Sequence, residues 1–280
     1  MARSLTVHAF AKINLDLRVL GLRPDGYHEL RTTFQSIALA DTLTFTRVRG
    51  PFQIECDDPA FPGDHTNLIW KAAQRVLALA RRREQPSGIR VRVEKNIPMQ
   101  AGLGGGSSNG AAALQALCRL WKVKTTREEL HHAAAKLGAD VPYFLEGGTA
   151  LGFHRGDLLV PLDDIDPAWV VVVVPEFGVS TKDAFAWWDQ AKEGQGVRAK
   201  NVSNDLQPLV AKRHPIVGKL VRTLIKEGAF HASLSGSGSA VFGLFSRRAD
   251  AQAAARRLAG PRTFVTPTLT RAGCRRLAAK

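Results

Sequence analysis

Pro98-Met99-Gln100-Ala101-Gly102-Leu103-Gly104-Gly105-Gly106-Ser107-Ser108 is the stretch that decides what kind of chain this is. Four glycines fall within five residues, Gly102 to Gly106. Lacking side chains, they let a bulky anion reach the backbone. They also tolerate positive φ, so successive N–H groups can converge on it. Ser107 and Ser108 stand where the N-cap of a following helix belongs, and a helix N-terminus adds free N–H groups and partial positive charge. Strand, glycine loop and helix start in that order make a phosphate cradle; a serine-capped surface loop is the plain alternative. Two common phosphate loops are excluded. No lysine follows at the Walker A position, and Ser107 stands where a dinucleotide fingerprint needs its last glycine.

Working outward, residues 89–95 read as the strand entering the loop, and 42–48 as another. Residues 4–19 alternate, with Ile13, Leu15, Leu17 and Val19 on one face and Lys12, Asn14 and Asp16 on the other. Thr66-Asn67 opens a helix whose Leu68, Ile69, Ala72, Ala73, Val76 and Leu77 form one apolar stripe. Beyond the loop, a helix from about Ser107 carries Leu114, Leu117, Cys118 and Trp121 on one face. A further helix opens with a capping box, Thr126 to Glu129, and ends near Gly138.

The second half opens with turns around 146–157. A buried valine strand at 168–174 and a polar surface loop at 192–201 follow. Then come a helix at about 215–227, a strand at 239–245, an alanine-rich helix near 249–259 and a last strand near 263–269. Strands and helices mix without regular βαβ spacing. The fold class is therefore α+β, in two lobes of residues 1–155 and 156–280.

The chain has 280 residues, 45% hydrophobic and 23% charged, which is enough apolar material for two cores without staples. Its 3 cysteines, Cys56, Cys118 and Cys274, are far apart and lack a C-x-x-C pairing, which fits a reducing cytoplasm. The start of the sequence is not a signal peptide, and the longest apolar run falls far short of the roughly 18 residues of a membrane span. Lys and Arg outnumber Asp and Glu by 39 to 25, a formal charge of +14 that favours anionic partners. The basic residues are dispersed, with no aromatic-and-basic stripe, so neither nucleic acid nor membrane is expected as a partner. No histidine or cysteine spacing suits a tightly held metal.

The glycine segment resembles the second signature of the GHMP kinases, P-x-x-x-G-L-G-x-S-S. Ala11-Lys12-Ile13-Asn14-Leu15 with Arg23-Pro24-Asp25-Gly26-Tyr27-His28-Glu29-Leu30 is similar to an N-terminal signature within that family. Leu234-Ser235-Gly236-Ser237-Gly238-Ser239-Ala240 resembles its third motif, and Gly138-Ala139-Asp140-Val141-Pro142-Tyr143-Phe144 also agrees. The resemblance implies a two-lobed GHMP kinase fold. Its N-terminal lobe would be like ribosomal protein S5 domain 2, and its C-terminal lobe α+β and ferredoxin-like.

The triple glycine and the Tyr27-His28 segment point to one branch of the family. That branch uses ATP to phosphorylate the 2-hydroxyl of a methylerythritol carrying a cytidine diphosphate group, on the non-mevalonate route to isoprenoids. Other GHMP kinases, acting on homoserine, mevalonate or a sugar, are the alternative; a non-catalytic anion- or nucleic-acid-binding protein on the same fold is a third. Gln100 departs from the branch's usual glycine and would narrow the loop. Asp157 stands where glutamate is expected.

The same resemblance implies the roles. Asp140 is the candidate base, and Lys12 either lowers the hydroxyl's pKa or neutralises charge on the phosphoryl group. Residues 98–108 would hold the nucleotide phosphates, with Asn67 and Lys95 touching the adenosine. Asn14, Tyr27 and His28 would meet the acceptor, Tyr27 stacking on cytosine with Phe185 as the opposite face and His28 bonding its edge. Gly236 and Gly238 would bring the second lobe's backbone over the phosphates. Magnesium would arrive with ATP, and the protein would be a monomer or weak homodimer.

Overall fold

The computed structural model describes residues 4–193, 202–258 and 262–278. In chain order the elements begin with β1 (Ser4–Leu22), β2 (His28–Pro51), β3 (Gln53–Cys56), α1 (Leu68–Leu79), β4 (Ser87–Glu94), α2 (Gly105–Leu120) and α3 (Arg127–Ala135). There follow α4 (Val141–Glu146), β5 (Thr149–His154), β6 (Leu158–Pro161), β7 (Trp169–Val174), α5 (Thr181–Glu193), α6 (Gln207–Arg213) and α7 (Pro215–Lys226). The rest are β8 (His231–Leu234), β9 (Val241–Phe245), α8 (Arg248–Arg257), β10 (Arg262–Pro267) and α9 (Arg271–Ala278). Strands β3-β4-β2-β5-β6 lie side by side in one sheet, with β1 also paired to β2; only β3 and β4 run parallel. A second, antiparallel sheet has the order β10-β7-β9-β8.

Three apolar clusters explain how the lobes are joined. In the first, Leu43, Phe45, Val91 and Val93 of the large sheet pack on the stripes of α1 and α2, among them Ile69, Val76, Leu114 and Leu117. In the second, Val171 and Val173 of β7 pack on Val210, Val217, Leu220 and Leu224. The third lies between the sheets: Val170, Val172 and Phe242 meet Ala11, Ile13 and Ile37, and Ala101 and Leu103 of the glycine loop. Alternate valines of one strand thus enter two different cores, which is why that strand reads as an unbroken apolar run. The loop is part of the seam.

Several sequence expectations shift. The strand expected at 42–48 is the end of β2, which begins at His28. Its first half was illegible because Thr32, Phe34, Gln35, Ser36 and Ile37 are buried on both faces, so no alternation survives. The turns expected at 146–157 are confined to Gly147-Gly148 and Gly156, all at positive φ, with β5 between them. Helices α4, α5, α6 and α9 and strands β3, β6 and β8 were not expected. Residues 194–201 of the predicted polar loop lie outside the described residues, and 192–193 complete α5.

Candidate active site

A cavity of about 1130 Å³ lies along the seam, lined by the glycine loop, β1, the start of β2, α5 and the turn after β8. Residues 98–107 line it, and Ser108 is buried just behind. The expectation that Ser107 and Ser108 cap the helix is corrected. Helix α2 starts two residues earlier, with Gly104 as N-cap at φ 70 and ψ 17 and no side-chain cap. The left-handed geometry that Gly104 alone accepts without penalty turns the chain into the helix. The first helical bond is Ser108 N–H to the Gly104 carbonyl (2.9 Å), so the N–H groups of Gly105, Gly106 and Ser107 precede it. Such groups form an anion site.

Lys12 is tied to this loop by its backbone, whose N–H donates to the Leu103 carbonyl (3.0 Å). Its ammonium donates to Asn14 Oδ1 (2.6 Å) and stands 3.5 Å from Asp140 Oδ2. Asn14 in turn donates to Thr32 Oγ1 (2.8 Å), and Thr32 to the Asp16 carbonyl (2.6 Å). This chain fixes the amide so that its oxygen faces the lysine. Burial holds the Lys12 pKa below its ordinary value, and the nearby Asp140 carboxylate opposes that shift. Asp140 occupies the N-cap position of α4 yet makes no capping bond, which leaves its carboxylate for Lys12 and the cavity.

The second lobe closes over this pair. A Cβ placed on Gly236 would lie 3.2 Å from Asn14 Oδ1 and 3.4 Å from Lys12 Nζ, so only glycine brings backbone this near at φ 57. Asn204, buried and not singled out from sequence, donates to both the Leu234 and Gly236 carbonyls (2.8 Å each). Gly238 lines the same cavity.

At the other end, Tyr27 is 55% exposed with Arg155 stacked 4.9 Å from its ring, and Asp157 holds Arg155 at 2.6 Å. Phe185 lines the same cavity as Tyr27. Its ring stacks on His28, centroids 4.6 Å apart at 19°, and His28 Nε2 lies 2.8 Å from Asp189 Oδ1. Elsewhere along the cavity, the Asn67 amide is already engaged, accepting from Ile69 N–H (2.9 Å) as cap of α1 and donating to the Pro62 carbonyl (2.5 Å). Lys95 is in a buried pair with Asp41 (2.9 Å). Gln100 takes a positive φ of 53 and packs towards Gly178 of the second lobe. Asn109, also missed from sequence, is buried and lines the cavity, and neither polar atom of its amide has a protein partner. The SSN sequence places it one turn beyond Gly105 on the same helix face, which was the available signal.

The profile described as GHMP kinases N terminal domain matches residues 67–148, and that described as GHMP kinases C terminal matches 189–261. A 4-diphosphocytidyl-2-C-methyl-D-erythritol kinase of Moorella thermoacetica is 40% identical over 287 aligned positions, covering 95% of this chain and 99% of that one. One of Solibacter usitatus is 42% identical over 267, covering 88% and 83%. A crystal structure of 4-(cytidine 5'-diphospho)-2C-methyl-D-erythritol kinase superposes with a TM-score of 0.79 at 33% identity, covering 94% and 98%. The mevalonate kinase of L. major shares the fold at a TM-score of 0.70 and 18% identity, covering 95% of each chain. With both lobes matched and its glycine loop, Lys12 and Asp140 meeting in one cavity, the chain belongs to the GHMP kinases, in their 4-diphosphocytidyl-2-C-methyl-D-erythritol kinase family.

Proposed function

We propose that the protein transfers the γ-phosphoryl group of ATP to the 2-hydroxyl of 4-diphosphocytidyl-2-C-methyl-D-erythritol. One observation carries this reading: Lys12 and Asp140, 3.5 Å apart, line the same cavity as the glycine loop and the Tyr27, His28 and Phe185 group. Asp140 takes the acceptor hydroxyl's proton as that oxygen attacks the γ-phosphorus, and the bond to the bridging oxygen breaks to release ADP. Lys12, kept short of full basicity by burial, either lowers the hydroxyl's pKa or neutralises charge on the moving phosphoryl group. The backbone of residues 98–108 and the N-terminus of α2 hold the phosphates. Asn67 and Lys95 flank the adenosine. Asn14, Tyr27, His28 and Phe185 position the cytidyl acceptor, and Gly236 and Gly238 close the second lobe over it.

Magnesium enters with the nucleotide. Among the described residues no group of three His, Cys, Asp or Glu side chains forms a metal cage, and Asp140 and Asp189 are the carboxylates lining the cavity. That donor set would suit an ion held mainly by the nucleotide's phosphates and water, with Asp140 or Asp189 as the carboxylates that could assist. Residues 1–155 and 156–280 act as the two lobes of a monomer or weak homodimer. Three free cysteines fit a cytoplasmic setting. Homoserine and mevalonate carry no base for the aromatic group to meet, which disfavours the other GHMP activities.

The test is ADP release from ATP and magnesium with 4-diphosphocytidyl-2-C-methyl-D-erythritol, homoserine or mevalonate. Turnover with the cytidyl compound alone is expected; turnover with either other acceptor instead overturns the substrate. Asp140→Asn should lower kcat by roughly 10²–10⁴-fold with nucleotide affinity kept. Retained turnover removes Asp140 as base.

A further inference from the structure

Helix α5 presents two residues to one imidazole. Phe185 and Asp189, four positions apart, share a helix face. The Phe185 ring stacks on His28, and Asp189 Oδ1 lies 2.8 Å from His28 Nε2. The edge of Trp188 meets the same ring from a third side, centroids 5.7 Å apart at 86°. Stacked, bonded and bounded, the ring has one orientation. The side chain of His28 is 9% exposed and lines the acceptor end of the cavity, as do Phe185 and Asp189.

An ionised carboxylate accepts hydrogen bonds and donates none, so the imidazole nitrogen facing Asp189 must carry its proton on Nε2. In neutral imidazole the other nitrogen is then a bare acceptor. No described residue donates to His28 Nδ1. We infer that Asp189 is a positioning residue that fixes the Nε2–H tautomer of His28, so that Nδ1 presents an acceptor to the ligand's pyrimidine and selects cytosine over uracil. Cytosine carries an amine donor at C4, where uracil carries a carbonyl oxygen. Nδ1 accepts from the first and faces a lone pair on the second. Leaving that pair unmatched in a half-buried site disfavours uracil by roughly tenfold or more. Replacing the carboxylate by an amide removes the constraint. An amide donates as well as accepts, so either tautomer is satisfied and Nδ1–H can meet the uracil carbonyl.

This inference rests on the cytidyl acceptor proposed above, and the experiment separates the two. CDP and UDP are titrated calorimetrically into the full chain and into Asp189→Asn and Asp189→Ala, with the adenine site held saturated by an ATP analogue. Nitrogen-15 imidazole shifts, assigned through His28→Gln, report the tautomer. Wild type should prefer CDP by about tenfold or more and show the Nε2–H form. Both Asp189 variants should lose most of that preference through a gain in UDP affinity or a loss in CDP affinity, with mixed tautomers. Discrimination intact in both variants, or an Nδ1–H tautomer in wild type, overturns the inference. Equal CDP and UDP binding by wild type overturns it while leaving a pyrimidine site. Binding of neither by a folded protein defeats the cytidyl reading itself.

Discussion

Gly102→Ala tests whether the glycine loop and the third motif are locked together. Gly102 has φ +75, and a Cβ there would sit 2.0 Å from the Ser235 carbonyl oxygen and 3.1 Å from the Gly238 nitrogen. Both obstacles are backbone of the opposite lobe, so no rotamer change relieves them. An L-residue in left-handed geometry costs about 1–2 kcal/mol. Relieving the overlap requires the two loops to part by roughly 1 Å, because contacts at 2.0 Å are not found in folded proteins. That movement breaks two bonds across the seam, Ser235 Oγ–H to the Gly102 carbonyl (2.9 Å) and Ala240 N–H to the Ala101 carbonyl (3.1 Å). At about 1 kcal/mol each, the sum is about 3–4 kcal/mol. For a chain of this size that lowers the melting temperature by on the order of 10 °C.

A control isolates the backbone share. Gly228 has φ +95 with nothing within 4 Å of its would-be Cβ, and it lies in the turn between α7 and β8. Gly228→Ala should melt about 3–5 °C below wild type and keep its turnover. Gly102→Ala should lose turnover by roughly a hundredfold as well, since a shift of about 1 Å at reacting groups is felt at that level. The assay is a thermal melt monitored by circular dichroism alongside ADP release. If the two variants melt alike and Gly102→Ala keeps full activity, the lobes are not docked through these loops in solution.

Three other perturbations separate the parts of the site. Tyr27→Ala should weaken CDP binding by roughly tenfold or more, the loss of one stacking face, with the KM for ATP unchanged; equal losses on both ligands sink the stacking role. For Lys12 the sign follows from its lowered pKa: the unfolded chain binds the proton more tightly, so the charge penalises folding near neutrality. The penalty fades as pH climbs towards the ordinary value of 10.5. Lys12→Met should therefore have its largest stability relative to wild type near pH 7, and urea titrations should show that advantage shrinking as pH rises; a pH-independent difference contradicts the buried-charge account. Asn109→Leu removes a buried amide without a protein partner, so it should raise the melting temperature of the nucleotide-free protein while weakening ADP binding. Unchanged ADP affinity would mean that Asn109 does not face the nucleotide.

What was legible in the sequence was local. The Thr126–Glu129 capping box, the α1 stripe and the valine strand each follow from residues within one element, and each is found in place. The glycine loop was legible as a place where the backbone turns at positive φ and stays bare, and Gly102 and Gly104 do take φ 75 and 70. Its helix start was misplaced because serine is a common cap, whereas here Gly104 turns the chain and the glycines themselves form the first turn. The partners of each site residue were not legible. That Lys95 faces Asp41 and that Phe185 stacks on His28 depend on contacts between distant segments, and that the Asn67 amide caps α1 depends on its rotamer. Nothing in the local sequence marks Asn204 either, since its two carbonyl partners lie 30 and 32 residues away.

Those partners change how the site's charge must work. The chain carries a formal +14, yet the cations nearest the proposed chemistry each face a carboxylate: Lys12 has Asp140 at 3.5 Å, Lys95 has Asp41 at 2.9 Å, and Arg155 has Asp157 at 2.6 Å. Lys182, exposed at the cavity's edge, is the lining lysine without an ion pair among the described residues. A cation already paired offers a resting phosphate less net charge than a free one, although Lys12 can still meet charge that develops on the moving phosphoryl group. On the proposed reading, much of the holding of the nucleotide would fall to neutral donors, the backbone N–H groups of the glycine loop and the N-terminus of α2. The dispersed surface charge acts earlier and farther out, raising the rate at which anionic ligands arrive. The division suits a phosphotransferase, because dipoles fixed by the fold can stabilise charge in transit without binding the equally anionic product so tightly that it fails to leave.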